Sequence, residues 1–228
     1  MKHDAKMEYL QFEGDNYFER NLNKNLQKET TMGAQLFYEF ISRQIGGGGY
    51  SAQSKRMLEI GCCYGYNLAY FFDKCGFSCY GIEPSGKAIE YGKQQYNTKV
   101  DFLQGTADDL KYADKFFDVV LVGTCLYQVD RTLLRRTLSE IDRVLDCGGF
   151  LVISDFDTPV PCKRENKHNE LTPTYKDNYG DMFLRFPYKY TLVEKKSYSF
   201  NGEFIFSEDI QERVSTQILY KEKGNLFY

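Results

Sequence analysis

Residues Met57 to Phe72 constrain this chain more than any other stretch. They read as a short apolar strand ending Leu58-Glu59-Ile60, a turn bracketed by Gly61 and Gly65, and a helix with Leu68, Phe71 and Phe72 turned inward. Gly61 permits a sharp turn, and Gly65 permits close approach of the backbone to a bound molecule. The helix that follows presents free N–H groups at its start. A strand, glycine turn and helix in this order belong to α/β architecture and suit a nucleotide.

The rest of the pattern extends that unit. Strands are expected at Arg56 to Ile60, Phe77 to Ile82, Val100 to Leu103, Phe116 to Val122 and Phe150 to Ser154. The run FFDVVLV is apolar apart from Asp118, as befits a central strand covered on both faces. Between the strands lie helices at Gly65 to Lys74, Ser85 to Tyr96 with Ser85 as N-cap, and Arg131 to Leu145 stopped by Cys147-Gly148-Gly149. An earlier helix, Glu29 to Ile45, carries Met32, Leu36, Phe37, Phe40 and Ile41 at helical spacing and ends at Gly46. Parallel neighbours need crossover connections, so this alternation predicts a doubly wound sheet with helices on both faces. Two last strands, Tyr188 to Phe200 and Arg213 to Lys221, have no helix between them and predict an antiparallel hairpin. The expectation is one α/β domain over residues 1–228, Rossmann-like, with seven mostly parallel strands. Its parts are an N-terminal helical cap (1–50), a cofactor-binding core (56–155), a substrate-side insertion (156–187) and terminal strands (188–222).

A chain of 228 residues with 42% hydrophobic and 27% charged residues can bury one sizeable core. A formal net charge of -3 offers no broad attraction for a phosphate backbone, so nucleic acid is not the expected partner. No run approaches the roughly 20 apolar residues of a membrane span, and the charged start is unlike a signal peptide. A cytoplasmic protein is expected, monomer or homodimer. Seven cysteines, an odd number, sit largely in or beside apolar runs and read as reduced thiols. With Cys75 and Cys79 as a single pair and two histidines in the chain, no metal site is expected.

Glu83 ends the second strand about 20 residues beyond the glycine turn, where a carboxylate can accept both hydroxyls of a ribose. After the third strand, Gly105-Thr106-Ala107-Asp108-Asp109-Leu110 can meet an adenine ring. LEIGCCYGYNLAYF, YGIEPS, FLQGTADDL and FFDVVLVGTCLYQV, in this order, resemble four motifs of the class I S-adenosylmethionine-dependent methyltransferases across residues 57–155. That resemblance implies S-adenosylmethionine as cofactor. By it Glu59, Gly61, Cys63 and Gly65 face the amino acid end, Glu83 and Pro84 hold the ribose, and Thr106, Ala107 and Asp108 flank the adenine. Two positions depart from the family: Cys63 replaces the middle glycine of the turn, and Thr106 replaces the usual Asp of the third loop. A nicotinamide-dependent oxidoreductase is the competing enzyme reading, although Gly61 and Gly65 lack the G-x-G-x-x-G spacing. A non-catalytic module that binds the cofactor is a third.

Ligands of open α/β sheets sit beyond the carboxyl ends of the strands. That places Gly123 on the cofactor side and Thr124, Tyr127, Gln128, Asp155 and Asp157 toward a small-molecule acceptor. The insertion supplies Tyr175, Tyr179, Tyr188 and Tyr190 as possible walls, and His168 as the candidate catalytic base for a hydroxyl acceptor. FEGDNYFERN and HNELTPTYKDNYGDMF are similar to segments of methylases associated with pseudaminic acid and other bacterial surface-glycan pathways. This likeness implies a sugar or related polar metabolite methylated at oxygen.

Overall fold

The structure is a computed structural model and describes residues 5–26, 29–166, 168–185, 187–201 and 204–224. His3 and Lys167 lie outside the described residues. At the N-terminus Ala5–Glu8 (α1) passes through a π-turn, Tyr9–Glu13, into Gly14–Asn25 (α2). The sequence flagged residues 16–20 as a capping segment without assigning helix, because polar and aromatic side chains alternate there without a clean apolar stripe. Next come Met32–Gly46 (α3), Arg56–Ile60 (β1), Tyr66–Cys75 (α4), Ser78–Glu83 (β2), Gly86–Tyr96 (α5), Val100–Gln104 (β3) and Phe117–Gly123 (β4). A 3-10 turn at Leu126–Gln128 leads to Arg131–Val144 (α6) and Leu145–Phe156 (β5). Cys162–Arg164 (β6), Thr174–Lys176 (β7), a 3-10 turn at Gly180–Met182, Tyr190–Ser199 (β8) and Arg213–Lys221 (β9) complete the chain.

Seven strands form one sheet in the order β3-β2-β1-β4-β5-β9-β8. The first five are mutually parallel, while β9 runs antiparallel to both β5 and β8. This is the Rossmann-like sheet the alternation predicts, with the last hairpin folded so that β9 inserts beside β5. Chain order reverses between β1 and β4, and that switch point opens a crevice at the carboxyl ends of the strands.

The pleat sorts β1 and β4 residues between two helical layers. Met57, Val119 and Leu121 face α3 and α4, where Phe37, Ile41, Leu68 and Phe71 are fully buried. Leu58, Ile60, Val120 and Val122 face α6, through Leu138, Ile141 and Val144. Asp118, the polar exception in β4, accepts hydrogen bonds from Lys55 Nζ and the Arg56 backbone N–H, both at 2.8 Å.

Two elements differ from the sequence reading. Cys147-Gly148-Gly149 does not precede β5 but lies inside it: β5 starts at Leu145 opposite Phe117, and the pairing then jumps to Phe150 opposite Val119. Gly148, at φ +85°, lets the intervening residues bulge without ending the strand. The insertion is not wholly irregular either, since β6 and β7 pair antiparallel, Cys162 opposite Lys176 through Arg164 opposite Thr174.

Phe37 is 0% exposed and meets Phe40, Phe71 and Phe150 at ring separations of 5.7 to 6.5 Å. Phe37→Ala should therefore cost about 3–5 kcal/mol, read from urea denaturation. A loss below about 1 kcal/mol would mean that α3 is not part of the core.

Candidate active site

The site is built around the end of β1. Glu59 is 2% exposed; its Oε1 accepts from Asn67 Nδ2 at 2.7 Å, and its Oε2 is buried with no partner. Asn67, in the first turn of α4, also accepts from Thr30 Oγ1 and the Thr31 N–H, at 2.8 and 2.9 Å. One amide thus joins strand, glycine turn and the start of α3. The turn itself continues the sheet, because Gly61 and Cys62 both donate their N–H to the Ile82 carbonyl. Gly61 and Gly65 have φ of +74° and +83°, and a Cβ at Gly65 would lie 2.6 Å from the Phe102 ring. Both positions exclude a side chain. Cys63 is also left-handed at φ +51°, as is Thr124 after β4 at +48°, so backbone strain gathers on both sides of the crevice.

Glu83 ties β2 to this turn. Its Oε2 accepts the Cys63 N–H at 2.9 Å and its Oε1 accepts the Ser85 N–H at 3.1 Å. A carboxylate has about four acceptor directions, so each oxygen keeps one for a further donor. Ser85 caps α5 through Ala88, and its own hydroxyl donates at 2.6 Å to Asp15 of α2.

A cleft of about 100 Å³, open to solvent, lies beyond these strand ends. Of the residues singled out in the sequence, Gly61, Pro84, Thr106, Ala107, Asp108 and Gln128 line it, while Glu59, Cys63, Gly65, Glu83 and Gly123 do not. Cys125 and Lys6 line it as well, and the sequence pointed to neither. Lys6 Nζ reaches from α1 to Asp108 Oδ2 at 2.8 Å, while Thr106 Oγ1 donates to the other Asp108 oxygen at 2.7 Å. Burial raises the Asp108 pKa, but these two bonds outweigh it and hold the carboxyl below its usual range. Gly123 adjoins Glu59: a Cβ there would sit 3.8 Å from Glu59 Oε1. Tyr17, on α2, faces Cys63, Glu83 and Cys125; burial and the first two of these push its phenol up to about 12, so it remains a hydrogen-bond donor.

On the acceptor side, Asp155 is 1% exposed and accepts three backbone N–H groups, those of Leu126, Tyr127 and Phe156. Its carboxylate thereby shapes the 126–128 turn. Tyr127 packs edge-on against Phe156 and accepts from Gln128 Nε2 at 2.6 Å. Tyr175 of β7 lies beneath the Arg131 guanidinium at 4.5 Å. His168 is exposed in the turn after β6, its backbone N–H bonded to Asn166, and it is not among the residues lining the cleft. Asn169 beside it donates to Glu8 and Glu13 of the N-terminal helices, both at 3.1 Å, clasping insertion to cap.

These residues fit S-adenosylmethionine. The orphan Glu59 oxygen suits a cationic ammonium group, the remaining Glu83 acceptors suit a ribose diol, and the cleft between Ile82, Pro84 and Ala107 suits a flat base. Among the described residues no group of three or more His, Cys, Asp or Glu is placed to hold a metal ion, and no helix is long and apolar enough to cross a membrane.

With its reversed strand β9 and glycine turn at the switch point, the chain has the fold of the class I S-adenosylmethionine-dependent methyltransferases. More particularly, residues 58–153 match the family described as "Methyltransferase domain". An O-methyltransferase of Aspergillus nomiae is 33% identical over 141 residues, 60% of this chain and 61% of that one. The chain spans 61%, 49% and 38% of the lengths of three curated relatives it matches. An N1-methyltransferase of Burkholderia thailandensis, solved with 1,6-didemethyltoxoflavin and S-adenosylhomocysteine, superposes at a TM-score of 0.69 with 14% identity, over 98% of this chain and 93% of that one. A 4+2 cyclase superposes at 0.57 with 16% identity, over 75% and 77% respectively.

Burial raises the pKa of Glu59 to about 8 and those of Glu83 and Asp155 to about 7, against 4.5, 4.5 and 3.8 for exposed groups. Between about pH 5 and 8 the folded chain holds protons that the unfolded chain has released, so stability is greatest at the acidic end and falls as pH rises. Urea titrations of the ligand-free protein should show this decline ending near pH 8. Glu59→Gln should shallow the slope by up to about 1.4 kcal/mol per pH unit. An unchanged slope would place the Glu59 carboxylate in water.

Proposed function

We propose that this chain is an S-adenosylmethionine-dependent methyltransferase acting on a small-molecule acceptor at oxygen. The observation that carries the reading is a cleft lined by Gly61 of the glycine turn, Pro84 just past the end of β2 and the 105–108 loop, with Glu83 beside it bonded to the turn through the Cys63 N–H. Bound S-adenosylmethionine would supply an electrophilic methyl carbon on a sulfonium. The protein's share is to hold the acceptor oxygen on the displacement axis and to exclude water. Cap and insertion suit that task, because Lys6, Asp15 and Glu13 close over the core and bond to Asp108, Ser85 and Asn169.

The carboxylates lining the cleft are already engaged, Asp108 with Lys6 and Asp130 as the cap of α6. A hydroxyl acceptor would need a base, for which His168 is the candidate after movement of its turn. A carboxylate acceptor needs none. None of the relatives described above is named for surface-glycan chemistry, so the sugar reading rests on the likeness of FEGDNYFERN and HNELTPTYKDNYGDMF alone. A cofactor-binding module without methyl transfer is the second reading, favoured by the superposition on a cyclase, since a fold does not dictate its chemistry.

Calorimetry with S-adenosylhomocysteine tests the premise common to both readings, and release of labelled methyl from S-adenosylmethionine into a metabolite pool separates them. Glu83→Ala should weaken S-adenosylhomocysteine binding by about 1–3 kcal/mol through the lost charged hydrogen bonds; equal affinity would remove Glu83 from the ribose. His168→Ala should lower turnover of a hydroxyl acceptor and spare cofactor affinity. Unaltered turnover would make His168 a bystander.

A further inference from the structure

Arg131 opens α6, immediately after Gln128, Val129 and Asp130, which line the cleft. Its guanidinium is held between two tyrosines of the insertion, 4.5 Å from the Tyr175 ring centre and 5.3 Å from that of Tyr179. Nη2 donates to the Tyr179 hydroxyl at 2.7 Å, and that hydroxyl in turn donates to the Tyr175 carbonyl. Tyr179 is itself 0% exposed, so this stacked arrangement is rigid. Nη1, by contrast, is withdrawn from solvent and has no hydrogen-bond partner.

Among the described residues no carboxylate comes within 4 Å of this guanidinium. Asp155, which feels the Arg131 charge, and Asp130, the neighbour of Arg131 in sequence, both accept hydrogen bonds from other groups. Asp155 accepts three backbone N–H groups, and Asp130 accepts the N–H and hydroxyl of Thr132. A fixed, half-buried guanidinium with no ion pair leaves Nη1 unsatisfied, at a cost of about 1–3 kcal/mol. An arriving anion would remove that cost, and a guanidinium fork matches carboxylate and phosphate alike.

We infer that Arg131 anchors a carboxylate or phosphate group of the molecule that accepts the methyl group. This rests on the methyltransferase reading above. The cage of Tyr175 and Tyr179 sets the guanidinium plane, and β7 lies against the 126–128 turn, whose Gln128 lines the cleft. Arg131 touches the acceptor away from the reacting oxygen and acts as a specificity-determining residue.

The test uses wild type, Arg131→Met and Arg131→Lys, each first titrated with S-adenosylhomocysteine. Failure of the wild type to bind it would overturn the methyltransferase reading without bearing on the anion site. Unchanged affinity in both variants shows that they are folded with the cofactor site intact. The cofactor-saturated proteins are then titrated with hexanoate, hexyl phosphate and neutral hexan-1-ol. The expected result is that the wild type binds one of the anions about tenfold more tightly than hexan-1-ol, that Arg131→Met loses this preference, and that Arg131→Lys keeps part of it. Preference for hexanoate identifies a carboxylate, and preference for hexyl phosphate a phosphate. Equal binding of all three probes by the wild type, or an anion preference that persists in Arg131→Met, overturns the assignment.

Discussion

The hydrogen bond from Asn67 to buried Glu59 is the interaction on which the rest of the site depends. A carboxylate this deep is expensive to keep, and burial raises its pKa to about 8. What it secures is the relation of three elements: Glu59 belongs to β1, Asn67 to α4, and the other end of the same amide holds the Thr30–Thr31 start of α3. With the helix fixed to the strand, the turn between them has little freedom. Gly61, Cys63 and Gly65 adopt left-handed conformations, and the Cys63 N–H is delivered to Glu83.

From that anchor the remaining walls follow by topology. The order reversal between β1 and β4 opens the crevice; the β2 end contributes Ile82 and Pro84, β3 the 105–108 loop and the segment after β4 Cys125. The N-terminal helices then cross over the top and bond to the core through Lys6 and Asp15, and to the insertion through Glu8 and Glu13. The 105–108 loop and the insertion are therefore linked through a cap whose Lys6 itself lines the cleft.

The core was legible because its signals are local. A strand of FFDVVLV, a glycine turn and a serine cap each report on a few neighbouring residues, and the parallel sheet follows from alternation alone. Glu83 was legible for the same reason, through its spacing from Gly61. The parts that escaped depend on distant pairing. Lys6 is an ordinary lysine in a polar segment until α1 lies across the cleft. The three-residue strands β6 and β7 are too short to leave a periodic pattern and exist because they pair with each other. Residues 147–149 look like a helix stop, and only the register of β4 makes them a bulge. Asp155 was marked as facing the acceptor from its place at a strand end, but the direction of its oxygens, toward three backbone N–H groups, is not a property of the sequence. His168 was marked as a base from its chemistry alone, and its exposed place in the turn after β6, away from the cleft lining, is set by tertiary packing.

On the proposed function, Glu59 is a protonated, half-satisfied carboxyl that receives the cationic end of S-adenosylmethionine or its product. Pairing with an ammonium group would drop its pKa from about 8 and release the proton. Calorimetry of S-adenosylhomocysteine binding at pH 7 in two buffers of different ionisation enthalpy measures this directly. Release of about one proton per ligand by the wild type, and markedly less by Glu59→Gln, is the result expected. Binding with no proton release, or the same release from both proteins, would contradict the role given to Glu59.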